Sequence, residues 1–169
     1  TSGILIPAEI VLVVALFVHV AMAVSLTVEN RKARGSQRYA VTPKVDKGGT
    51  WASRTMAVQG SVVLAFVILH LITFKYGTYY ETTVNGAAMR DLHRLIVEVF
   101  HQPAYVAWYV FALVILGFHL RHGVSSIFQS FGLKNDHYAP LIKALGIAYA
   151  LIVIVGFLSQ PFYVYFIAG

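Results

Sequence analysis

Three histidines lie inside long stretches of this sequence that carry no charged residue. They are His19 in LFVHVAMAV, His70 in VILHLITF and His119 in LGFHLRHG, and the last is followed by Arg121 and His122. An ionisable side chain inside a membrane costs on the order of 3 kcal/mol, so it marks a candidate functional site. A single buried histidine can instead hydrogen-bond across helices in a structural role. Three of them together favour a shared chemistry.

Neutral imidazoles on facing helices suit the two axial positions of a haem, because imidazole binds iron and an apolar bundle solvates the macrocycle. Small residues flank two of the histidines: Ala15 and Ala23 lie one turn either side of His19, and Gly123 follows His119 by one turn. A flat ring could therefore approach the backbone there. Iron with two histidine ligands has no vacancy for oxygen or substrate, which leaves electron transfer as its chemistry.

Two other kinds of site compete with haem. A zinc site needs three or four ligands at one depth, and no carboxylate lies at the level of His19, His119 and His122. The alternative from another class is a proton-coupled transporter, in which membrane histidines relay protons. Transporters typically have broken helices or repeated halves, and the apolar stretches here lack mid-span interruptions.

The depth of each histidine follows from the helical rise of about 1.5 Å per residue. His19 lies about 15 Å from the helix end near Glu29, and His119 lies about 20 Å from the end near Gly132. His70 is only about 8 Å from Lys75, at the opposite end of its helix. We therefore expect His19 and His119 to face each other, and His70 to belong to a second layer without another histidine partner in this chain.

The elements that must hold these residues are membrane helices. The 169 residues are 58% hydrophobic and 12% charged, with a mean hydropathy of +0.70. Charged residues leave four windows of about 20 residues or more, each long enough to cross roughly 30 Å of hydrocarbon. The sequence predicts an all-α membrane protein with a single domain over 1–169 and a bundle of four transmembrane helices at about 4–30, 54–76, 103–131 and 139–166.

The basic residues predict the orientation. Ten of the 13 lysines and arginines lie in 31–54 and 121–143, which places those connections on the cytoplasmic face. This topology accounts for the net charge of +6 without nucleic acid. Cysteine is absent, which excludes thiolate-bound clusters and covalent haem attachment by these residues. The first apolar stretch lacks a basic leader and the sequence begins at Thr1, so we expect an uncleaved first helix and a further segment before it.

The connection 77–102 has a pattern of its own. Its apolar residues recur at helical spacing, which predicts a short amphipathic helix at the membrane interface. They are Met89, Leu92, Leu95, Ile96 and Val99.

Four segments resemble a known family along the whole chain: VHVAMAVSLTVENRKARG, ASRTMAVQGSVVLAFVILHLITF, FHLRHGVSSIFQSFGL and YAPLIKALGIAYALIVIVGF. The family is the cytochrome b membrane-anchor subunit of succinate:quinone oxidoreductases, the succinate dehydrogenase and fumarate reductase group, in its single-subunit, two-haem form. That family has five transmembrane helices, with one axial histidine on each of the first four. This chain resembles it from the second helix onward.

The resemblance implies two b haems and assigns their ligands. His19 and His119 would bind the haem nearer the cytoplasm. His70 would bind the outer haem, whose second ligand would come from a helix before Thr1. His122 could hydrogen-bond a haem propionate or a quinone carbonyl, and Arg31 and Arg54 could neutralise propionates or simply snorkel to the interface.

The resemblance also implies a place in the respiratory chain and the tricarboxylic acid cycle. A flavoprotein subunit would oxidise succinate, and an iron–sulfur subunit would dock on the cytoplasmic face of a bacterial inner membrane. This multi-pass subunit would not touch succinate; it would pass electrons to or from menaquinone or another quinone. A different di-haem cytochrome b quinol oxidoreductase is the nearest alternative.

The quinone is expected near the outer haem, where four side chains offer hydrogen-bond donors. An interfacial aromatic belt explains the tyrosines among them equally well. The four are Tyr79, Tyr80, His93 and His101.

Overall fold

The computed structural model describes residues 2–34, 55–133 and 135–168. Its helices are α1 (Ser2–Arg34), α2 (Met56–His70), α3 (Leu92–Phe100), α4 (Pro103–Ser130) and α5 (Ala139–Phe166). α2 continues into a π-helical segment, Leu71–Lys75, and two strands follow, β1 (Glu81–Val84) and β2 (Ala87–Arg90).

Among the described residues, four helical stretches are long and apolar enough to span a membrane: Gly3–Ala33, Met56–Lys75, Pro103–Ser130 and Ala139–Phe166. The predicted class is confirmed, because the protein is an all-α, multi-pass membrane protein. The predicted helix bounds differ from the observed ones by a few residues at most. The basic connection 35–54, including Arg54, and Lys134 lie outside the described residues.

α1 belongs to one compact unit of the structure, and the elements from α2 to α5 belong to a second. Within the second unit, α2 and α5 both pack against α4, while α3 packs across α4, α5 and the π-helical segment. Glycines allow α4 and α5 to approach closely: a Cβ on Gly146 would lie 3.2 Å from the Arg121 carbonyl oxygen, and one on Gly117 would overlap Ile154. The single domain over 1–169 stays a prediction.

A β-hairpin follows α2, which the sequence analysis did not predict. β1 and β2 pair antiparallel, with Val84 opposite Ala87. Asn85 and Gly86 form the turn with positive φ angles of 52° and 80°. This is the conformation that Asn-Gly favours in two-residue hairpins.

The predicted amphipathic helix in this connection is confirmed as α3, and its position at a membrane interface stays a prediction. It begins at Leu92, where the Asp91 side chain accepts a hydrogen bond of 2.9 Å from the Arg94 backbone N–H. Its apolar face is buried through Leu95, Val99 and Phe100. Met89, predicted to be part of the helix, lies instead on β2, because the Asn-Gly turn reverses the chain before the helix can begin.

Arg90 attaches the hairpin to the end of α2. Its guanidinium donates hydrogen bonds of 3.0 Å to the Lys75 carbonyl, 3.2 Å to the Gly77 carbonyl and 3.1 Å to the Thr78 carbonyl. A Cβ on Gly77 would overlap the Thr73 carbonyl, so a glycine is needed where the chain leaves the π-helical segment. The hydrophobic core lies at this same end, around α3 and the first turns of α4.

Candidate functional site

A cavity of about 580 Å³ is lined by residues of α2 and its π-helical extension, α3, α4 and α5. Its volume lies within the range of roughly 300–1,000 Å³ that is typical of ligand pockets. Most of its wall is apolar, including Phe66, Leu113 and Pro161. The polar groups on the wall come from four residues: His70, Lys75, Tyr109 and Gln160.

His70 and Tyr109 form a hydrogen-bonded pair on this wall. The His70 Nδ1 atom lies 3.1 Å from the Tyr109 hydroxyl oxygen, and which group donates depends on the tautomer of the imidazole. Tyr109 is only 4% exposed. The pair joins α2 to α4 at the depth of the cavity.

Aromatic side chains surround this pair. Phe66 and Phe74, one turn before and after His70 on the same helical face, have ring centroids 5.9 and 5.2 Å from the imidazole. Tyr109 makes edge-to-face contacts with Phe66 at 4.9 Å and with Phe100 at 5.0 Å. Since these contacts come from both α2 and α3, the ring of Tyr109 is held from two sides.

This arrangement leaves one ring nitrogen of His70 for a ligand. Metal-binding histidines usually donate a hydrogen bond from the other ring nitrogen, which fixes the tautomer and the ring plane. Tyr109 occupies Nδ1, so Nε2 is the nitrogen that could coordinate iron. An apolar wall beside one oriented imidazole fits a hydrophobic macrocycle better than a polar substrate.

His119 lies on α4 ten residues after Tyr109, about 15 Å further along the helix axis. His70, paired with Tyr109, and His119 therefore lie at different levels along α4, and their depths in a membrane stay predictions. A Cβ on Gly60 of α2 would lie 3.7 Å from the His119 Cε1 atom, so the imidazole stands beside a glycine. A Cβ on Gly123 would meet no atom within 4 Å among the described residues.

The other predicted haem residues that the structure describes lie on α1 and α4. His122 is half-buried on α4, one turn after His119. His19 and Arg31 lie on α1, and the pairing of His19 with His119 stays a prediction. Arg54 is outside the described residues.

The four predicted quinone residues lie on and beside α3, and none of them lines the cavity. Tyr80 donates a hydrogen bond to the Glu98 carboxylate, and the Arg94 guanidinium lies 4.2 Å from its ring centroid. The hydrogen bond to Glu98 is the largest cause that raises the pKa of Tyr80. The quinone assignment stays a prediction for all four residues.

The other three residues are exposed on this side of the protein. His93 lines a shallow surface groove with Arg94 and Glu98. His101 ends α3, and Tyr79 lies under Arg90, 5.9 Å from ring centroid to guanidinium carbon.

Sequence reasoning missed Tyr109, Gln160 and Gly60. Tyr109 and Gln160 carry hydrogen-bonding groups inside apolar stretches, so the rule that selected the histidines could have selected them too. Gly60 interrupts an apolar helix, which often indicates a close approach.

Among the described residues, no three histidine, aspartate or glutamate side chains come together to hold a metal ion. Comparisons with models of known protein families, with curated proteins and with solved structures found no match.

Proposed function

We propose that this chain is the membrane-anchor and electron-transfer subunit of a succinate:quinone oxidoreductase. It would pass electrons between an iron–sulfur subunit and menaquinone or another quinone through b-type haems. The observation that carries the proposal is His70, hydrogen-bonded to Tyr109 beside an apolar cavity of about 580 Å³ within the membrane-spanning helices.

The residues around the cavity fit a haem. The His70 imidazole would hold the iron, the apolar wall would solvate the macrocycle, and Lys75 at the wall would offer a cation for a propionate. The resemblance assigns the second axial ligand of this outer haem to a helix outside residues 1–169. A bound haem supplies one-electron oxidation and reduction; the chain orients it and keeps water from the ring.

A second, inner haem would use His19 and His119. The resemblance implies this pair, and within the second unit the small residues Gly60 and Gly123 on α2 and α4 suit a planar group near His119, because such a group can reach the backbone of a helix where side chains are small. Arg31 and His122 are candidates for its propionates. Tyr79, Tyr80, His93 and His101 remain candidates for quinone binding at the predicted outer face.

The proposed partners follow from the reactions that this chain would leave to other subunits. Succinate oxidation would belong to a flavoprotein subunit, and an iron–sulfur subunit would dock at the basic connection 31–54. The proposed location is a bacterial inner membrane, with 31–54 on its cytoplasmic side.

The test is to purify the complex from its native membrane through a tag on this chain. We expect two b haems per chain by the pyridine haemochrome spectrum, co-purification of a flavoprotein and an iron–sulfur protein, and electron transfer from succinate to quinone. A haem-free preparation without these partners would contradict the proposal and favour the proton-coupled transporter. Two haems without succinate activity would favour a different cytochrome b quinol oxidoreductase.

A further inference from the structure

We propose that Tyr109 is a positioning residue for His70 as an axial ligand, and that it tunes the reduction potential of one haem only. This inference rests on the proposed function, because it requires a haem at His70. It is carried by the hydroxyl oxygen of Tyr109, 3.1 Å from the His70 Nδ1 atom, and by the burial of the tyrosine.

The direction of the hydrogen bond follows from the chemistry of coordination. A His70 that held iron through Nε2 would use the lone pair of that atom, so the ring proton of the neutral imidazole would have to sit on Nδ1. The Nδ1–H group then donates to the Tyr109 oxygen. Because the hydrocarbon region of a membrane offers few alternative acceptors, losing this one would leave a polar N–H without its hydrogen bond.

The same bond changes how strongly His70 donates to the metal. A hydrogen bond accepted from Nδ1–H makes the imidazole a more basic ligand. A more basic ligand stabilises ferric over ferrous haem and lowers the reduction potential. The effect should be modest, because a phenol oxygen is neutral and draws less on the proton than a carboxylate does.

Tyr109 is well placed to give the imidazole one orientation. Its ring is fixed edge-to-face by Phe66 and Phe100, at centroid distances of 4.9 and 5.0 Å. The hydroxyl therefore has little freedom to follow a rotating imidazole. His70 would keep the same ring plane in both oxidation states, which limits reorganisation during electron transfer.

The helix offers a matched control one turn away. Tyr105 is also on α4, and its hydroxyl lies 3.5 Å from the Thr73 hydroxyl instead of from a histidine. Tyr105→Phe and Tyr109→Phe remove the same atom from the same helix. Only the second removes the acceptor for His70.

The experiment is a redox titration of both haems in the intact complex, with His70→Ala used to identify the outer haem. In Tyr109→Phe we expect the potential of the outer haem to rise and that of the inner haem to stay unchanged. In Tyr105→Phe neither should move. Equal potentials in wild type and Tyr109→Phe would overturn the inference, as would equal shifts of both haems.

The haem content provides a second readout if the outer haem of Tyr109→Phe is too weakly bound to titrate. Loss of that haem in Tyr109→Phe, with full occupancy in Tyr105→Phe, supports the role of the hydrogen bond. Equal loss in both variants would overturn it and indicate general packing. A wild-type complex without haem would overturn the proposed function itself, whereas unshifted potentials with two haems present overturn this inference alone.

Discussion

His70 and His119 both lie within membrane-spanning helices, but their surroundings are built differently. His70 is hydrogen-bonded to Tyr109 and has phenylalanine rings at 5.9 and 5.2 Å. His119 stands beside Gly60, and its helix has open space at Gly123 among the described residues. Large side chains orient the first imidazole, whereas small ones leave room for a flat group near the second. Substitutions should therefore act through orientation at His70 and through volume at His119.

The largest effect on haem content is expected at His119, the histidine that lies beside small residues. His119→Ala should remove one haem per chain and weaken assembly, because a cofactor that binds only the folded state stabilises it. His19→Ala should have the same effect. His122→Ala is the matched control on the same helix and should keep both haems.

Haem content of the purified complex measures this directly. If His122→Ala removed a haem while His119→Ala kept it, the haem ligand on α4 would be His122 and our assignment of His119 would be wrong.

A graded change at Gly60 tests whether volume matters beside His119. Gly60→Ala places a Cβ at 3.7 Å from the His119 Cε1 atom, which is an ordinary contact and should be tolerated. Gly60→Leu should displace the imidazole and lower the content of the inner haem, with the outer haem retained. Haem content of Gly60→Leu, compared with that of His70→Ala to identify the outer haem, reports the two separately, and full content of both in Gly60→Leu would show that His119 has space to move.

A substitution of Arg90 tests whether its hydrogen bonds stabilise the hairpin at the end of the helix that carries His70. Arg90→Gln removes a guanidinium that donates to three carbonyls, and we expect a local cost of about 2–3 kcal/mol. Amide hydrogen exchange in 76–91 should then accelerate by roughly 30-fold or more. Arg94→Gln is the control, since an exposed contact with the Tyr80 ring is worth only about 0.5–1 kcal/mol. Equal exchange in both variants would contradict the stabilising role of the Arg90 hydrogen bonds.

The smallest effect that we expect is a change in the titration of Tyr80, which lies beside α3. The pKa of Tyr80 is raised, chiefly by its hydrogen bond to Glu98. A raised pKa means that the contribution to stability is present below the ordinary tyrosine value near 10 and is lost as pH rises through the higher folded value. Glu98→Gln should lower the pKa of Tyr80, which NMR of labelled tyrosine can follow. An unchanged titration would indicate that the hydrogen bond does not form in solution.

The sequence allowed the membrane helices to be predicted closely, because charged residues such as Arg54 and Lys75 bracket the apolar stretches. The hairpin was missed although Asn85-Gly86 is a strong local signal for it. The bond between His70 and Tyr109 could not have been predicted, since 39 residues separate the two. It depends on how α2 and α4 are rotated against each other, which apolar stretches without a polar face leave unspecified.

The central claim is that histidines of this chain hold haem beside an aromatic wall, and His70→Ala tests it most directly. The control is His137→Ala, because His137 is exposed in the turn before α5, where its ring lies edge-on against the Tyr138 ring. The measurement is the haem-to-chain ratio of the purified complex by the pyridine haemochrome spectrum. We predict one haem per chain in His70→Ala and two in His137→Ala; two haems in both variants would contradict the account.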